Sequence, residues 1–106
     1  MIENLLQQLP LDTSREHFEP LINASNMRIE RIVTPPNSPL NQAWYDQTED
    51  EWVMVLEGYG VLVFDDGRIV TLKAGDWLNI PAHSQHRVIK TDPEHTTIWL
   101  AVFYQA

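Results

Sequence analysis

The alternation of apolar and polar residues separates a short first part of the chain from a longer second part. From Met27 onward the pattern has a period of two, which predicts strands. In MRIERIVT, Met27, Ile29, Arg31 and Val33 fall on one face, and Arg28, Glu30 and Ile32 on the other. PPNSP at 35–39 cannot be a central strand, because its prolines lack backbone donors. AWYDQ predicts a short strand after it. EWVMVLEG is apolar on both faces, as in a strand buried between two layers. A turn at Glu57-Gly58-Tyr59-Gly60 leads into VLVF, and Asp65-Asp66-Gly67 is a hairpin signal. RIVTLK, the turn Lys73-Ala74-Gly75-Asp76 and WLNI follow, ending at Pro81. Two further strands are predicted, over Gln85–Lys90 and Thr96–Tyr104. Short strands joined by tight turns predict an antiparallel sandwich or barrel.

Residues 1–26 read differently. Thr13 followed by Glu16 is a capping-box pattern, and Phe18, Leu21 and Ile22 follow at helical spacing. This predicts a short helix over Ser14–Asn23. The expected organisation is an N-terminal helical segment, 1–26, packed on a single barrel domain, 27–106. No repeat or linker divides the chain further.

Length and charge narrow the function classes. A chain of 106 residues can bury one core, and chains this short are often helped by oligomerisation. The net charge is −8, and the seven basic residues are scattered. Binding to nucleic acid or to an anionic membrane needs a basic patch, and none is visible. No apolar run reaches the length of a membrane span. The N-terminus lacks a basic start followed by a long apolar stretch, so no signal peptide and a cytoplasmic location are expected. Cysteine is absent, so a metal would be held by nitrogen and oxygen alone.

The candidate chemistry lies in two segments. Glu51 opens EWVMVLEG, which closes at Gly58, and Gly75 to His86 reads GDWLNIPAHSQH. This order resembles the two half-motifs of the cupin superfamily. The family's fold is an antiparallel jelly-roll β-barrel that holds a metal or a small molecule inside. The resemblance implies that Glu51 and His86 point into the barrel as metal ligands. The family's His-x-His pair is missing here. Its two positions fall on Tyr45 and Gln47, or on Trp44 and Asp46, depending on the alignment. In the second motif His83 replaces a glycine and Lys90 replaces the terminal asparagine. A WYDQ…DEWV…IPAH..HRV pattern also resembles a subgroup of small bacterial cupins.

Glu51 shares its strand face with Val53 and Val55, so its carboxylate is expected in apolar surroundings. Such a carboxylate needs a metal, a hydrogen-bond donor such as Tyr45 or Gln47, or a proton. Asp46 or Gln47 would complete the metal site around Glu51 and His86. The set with Asp46 is oxygen-rich and would take Mn, Fe(II) or Zn, and Ni is a further candidate for the site. Trp44 and Tyr45 would line a pocket. His83 could swing over its mouth, and Arg31 would enter it if the face of Ile29 and Val33 points inward.

Two function classes follow. One is a metal-dependent enzyme acting on a small organic molecule, an oxygenase, isomerase or lyase. The other is a metal-free small-molecule binding or sensing module. The resemblance also implies a homodimer, with Met27–Val33 as an exposed edge strand packing on the partner.

Overall fold

The computed structural model describes residues 2–105 as eight strands. These are β1 His17–Asn23, β2 Met27–Thr34, β3 Asp50–Glu57 and β4 Tyr59–Phe64, then β5 Ile69–Lys73, β6 Trp77–Ile80, β7 His86–Thr91 and β8 Thr97–Tyr104. All pairings are antiparallel. One sheet runs β1-β2-β8-β3-β6 and the other β5-β4-β7. The alternating pattern from Met27 onward therefore becomes strands where it predicts them. AWYDQ forms only an isolated bridge, Tyr45 to His86.

The helix expected over Ser14–Asn23 does not form. Among the described residues there is no helix, and so none long and apolar enough to cross a membrane. His17–Asn23 is instead a strand paired along β2. Pro20 explains part of this. It has no donor for a helical ladder, but it is tolerated in an edge strand beside an irregularity, and the β1 register shifts between Pro20 and Ile22. The capping-box glutamate is used differently. Glu16 accepts a hydrogen bond from the Thr34 hydroxyl at 2.7 Å. Pairing along a neighbouring strand outweighs a weak local helix signal. It also places β2 between β1 and β8, so Met27–Val33 is not the exposed edge expected to meet a partner.

The core lies between the sheets. It contains Val53, Val55, Leu62, Phe64, Leu72, Ile80, Trp99, Ala101 and Phe103. The Trp99 indole lies against the Gly60 backbone so closely that a β-carbon there would fall 2.0 Å from its Cη2. That is why glycine stands inside an otherwise apolar strand. Outside the larger sheet, Trp52 and Trp77 contact each other with ring centroids 5.8 Å apart, and Trp77 is 60% exposed.

Arg31 does not line the pocket expected of it. Its guanidinium points away from the barrel interior and is buried under the N-terminal segment. Nη1 donates to the Leu5 and Gln7 carbonyls at 3.0 and 2.8 Å, and Nη2 to the Gln8 carbonyl at 3.1 Å. Nε donates to Glu19 at 2.7 Å. The charged head thus replaces water with carbonyls of a segment that has no ladder of its own. We expect Arg31→Ala to release that segment. Hydrogen exchange at residues 5–8 should accelerate, with a global loss of about 1–3 kcal/mol from carbonyls and a carboxylate left without their donor. Unchanged exchange there would contradict this role.

Candidate functional site

Strand register builds the wall of an internal cavity. Arg28 stands opposite Phe103, which stands opposite Glu51 on the next strand. The next inner row is Glu30, Ala101 and Val53, and Trp99 follows opposite Ile32. Phe18 on β1 pairs with Ile32 and extends the wall. The smaller sheet contributes Leu62, His86 and Val88. Together with Tyr45, Gln47 and Glu16 these residues line a half-open cavity of about 410 Å³. That volume lies within the range of small-molecule sites, about 300–1,000 Å³.

The segment before β3 is positioned by the turn after Pro81. Tyr45 exchanges backbone hydrogen bonds with His86, at 2.8 and 3.2 Å, and the His83 amide donates to the Gln47 carbonyl at 2.8 Å. Alternation along this paired stretch turns Tyr45 and Gln47 toward the cavity and Asp46 away from it. His83 has φ of +63°, a left-handed conformation, at the position where the family motif carries glycine.

Glu51 and His86 meet on the cavity floor and are 8% and 4% exposed. His86 Nε2 lies 3.3 Å from Glu51 Oε1, which also accepts from Gln47 Nε2 at 3.0 Å. His86 Nδ1 lies 2.8 Å from the Ser84 carbonyl. A carbonyl only accepts, so Nδ1 carries a proton. Nε2 of a neutral ring would then present a lone pair to a carboxylate oxygen. A proton on Nε2 removes this conflict and gives an imidazolium–carboxylate pair. Burial works against that charge. The hydrogen bond to Glu51, the Ser84 carbonyl and the Glu51 charge outweigh it, so the His86 pKa is raised. The ring also packs against Tyr45 and Phe64, with centroids 5.7 and 5.9 Å away.

Of the residues expected at the site, Tyr45, Gln47, Glu51 and His86 line one cavity. The other four do not. Asp46 faces outward, its carboxylate 2.8 Å from His83 Nδ1 and 3.3 Å from Gln85 Nε2. His83 is consequently a rim residue. Trp44 is 42% exposed, with the Arg87 guanidinium 5.1 Å from its ring centroid. Arg31 lies on the opposite face of its sheet.

Arg28, Glu30 and Glu16 line the cavity and were not expected there. The Arg28 guanidinium sits 3.9 Å over the Phe103 ring and is held by Glu30 at 2.7 Å and Glu49 at 3.0 Å. Burial opposes its charge, but these two carboxylates prevail and its pKa is raised. Burial raises the pKa of Glu16, which the Thr34 hydroxyl only partly offsets. Tyr45 is raised by burial and by the negative charges of Glu16, Glu51 and Glu30. The available signal was the alternation of β2 itself, which put Arg28, Glu30 and Ile32 on one face.

The donors do not fit the metal site that the family implies. Among the described residues no three His, Cys, Asp or Glu side chains gather to hold an ion. Glu51 and His86 lie within ion-pair distance of each other, Gln47 brings an amide donor to the same carboxylate oxygen, and Asp46 is engaged at the rim. Two ligands fall short of the three protein ligands usual at a catalytic zinc.

Residues 31–103 match the cupin domain family model, and the chain belongs to this family. Solved structures agree with the fold. A protein from Ralstonia eutropha JMP134, named a "putative mannose-6-phosphate isomerase", is similar at 37% identity with a TM-score of 0.89. That match covers 100% of this chain and 99% of the other. A cupin superfamily protein from Desulfitobacterium hafniense DCB-2 is 16% identical with a TM-score of 0.76, over 92% of this chain and 84% of that one. An RmlC-like cupin from Desulfovibrio desulfuricans is 20% identical with a TM-score of 0.72, over 97% and 95%. A search of curated proteins gave no match.

Proposed function

We propose that this cupin binds a small organic molecule inside the barrel, with Glu51, His86 and Gln47 as the polar floor of its site. The reading is carried by the direct Glu51–His86 contact at the bottom of an apolar-walled cavity. An imidazolium beside a carboxylate can donate one proton to a ligand and accept another, without a metal. Preformed pockets with apolar walls and a few convergent polar groups suit small ligands. The isomerase name of the Ralstonia protein is consistent with a small-molecule ligand, and the two chains are similar over their whole length.

Elemental analysis of untagged protein, before and after incubation with Mn, Fe(II), Ni and Zn, tests this reading. We expect well under one metal ion per chain in every case. One ion per chain, lost in both Glu51→Ala and His86→Ala, would return the protein to the metal-dependent class.

A further inference from the structure

The charges around the cavity are unevenly satisfied. Among the described residues its one permanent cation, Arg28, is already held by two carboxylates, Glu30 and Glu49. An anionic ligand would compete with both of them for the guanidinium, and would meet Glu16 and Glu51 as well. Glu16 is the reverse case. It lines the cavity and is half-buried, and among the described residues its side chain has one partner, the Thr34 hydroxyl on Oε2. Thr34 in turn accepts from Trp99 Nε1 at 3.2 Å, which fixes that oxygen. Oε1 accepts no hydrogen bond, and no cation lies within ion-pair distance of the group among the described residues. A half-buried carboxylate loses part of its hydration, and a positively charged ligand in the cavity offsets that cost.

We propose that the cavity selects a protonated amine on an apolar or aromatic body, and that Glu16 receives the ammonium. Phe18, Trp99 and the other apolar walls would take the body of the ligand. This deepens the binding function proposed above and rests on it. It also argues against a sugar phosphate as the ligand, whatever the name of the Ralstonia protein.

The test is calorimetric titration of the full chain with four probes: 2-phenylethylamine, 2-phenylethanol, 3-phenylpropionate and mannose 6-phosphate. We expect the amine to bind about tenfold or more tightly than the alcohol, as for a charge-assisted hydrogen bond, and the two anions not to bind. Glu16→Gln keeps an acceptor for Thr34. It should weaken the amine about tenfold while leaving the alcohol within about twofold, and thermal melting verifies that the variant is folded. Equal or tighter binding of the alcohol or of either anion would overturn the cation preference alone. Amine binding untouched by Glu16→Gln would overturn the role of Glu16. If no probe binds at millimolar concentration, the internal binding site itself is refuted, and this inference with it.

Discussion

Gly60→Ala is expected to lower the melting temperature by about 5–20 °C, among the largest effects of any single methyl group in this protein. The new β-carbon would fall 2.0 Å from Trp99 Cη2 and 2.5 Å from Cζ2. Neither neighbour gives way easily. Trp99 is 3% exposed in the middle of the core, and its indole nitrogen is tied to Thr34. Overpacking of this kind costs about 1–3 kcal/mol, and a domain of this size loses about 4–8 °C per kcal/mol. Shortening the ring should relieve the clash. The double variant Gly60→Ala with Trp99→Phe is therefore expected to be more stable than the sum of the two single losses. Calorimetric melting of the four proteins measures this directly. Strict additivity would mean that the two residues do not press on each other.

Removing the carboxylate from the cavity floor should cost nearly as much, and the cost should depend on pH. In Glu51→Gln, His86 keeps its burial but loses the charge that holds its proton. Breaking one side of a buried pair costs about 3 kcal/mol. The sign with pH follows from the raised His86 pKa. A pKa higher in the folded than in the unfolded chain adds stability that is fully present below the unfolded value. It is lost as pH rises through the folded value. The gap between the natural chain and Glu51→Gln should thus be widest in mildly acidic solution and narrow toward alkaline pH. Denaturant melts of both proteins at pH 5.5 and pH 9 decide it. A gap that widens toward pH 9 would contradict the protonated pair.

How much of this was legible in the sequence depends on the range of the interactions involved. The strands from β2 to β8 were legible because a period of two reports directly on which residues share a face. Glu51 and His86 were found through motif spacing, and Tyr45 and Gln47 through their distance from Glu51. The failures involve contacts between distant segments. Arg31 sits among apolar neighbours on its face, which made that face look like the interior. In fact Arg31 is buried because carbonyls of residues 5–8 cover its guanidinium, and that covering leaves no local trace. The opposite face carries Arg28 and Glu30, which sit in the barrel because they and Glu49 satisfy one another. Glu16 followed Thr13 at capping-box spacing, and only the pairing of β1 with β2 shows that its partner is Thr34. Asp46 and Gln47 were equivalent by motif alignment. The backbone bonds between residues 45–47 and 83–86 separated them.

Nitrogen-15 NMR of the His86 ring distinguishes a proton from a metal between Glu51 and His86. The spectrum reports the state of Nδ1 and Nε2 separately. Both nitrogens are expected to carry protons below the titration midpoint, with the midpoint above the ordinary histidine value of 6.5. One equivalent of zinc is expected to leave the Nε2 signal in place. A midpoint below 6.5, or an Nε2 signal moved by zinc to a metal-bound position, would contradict the protonated pair.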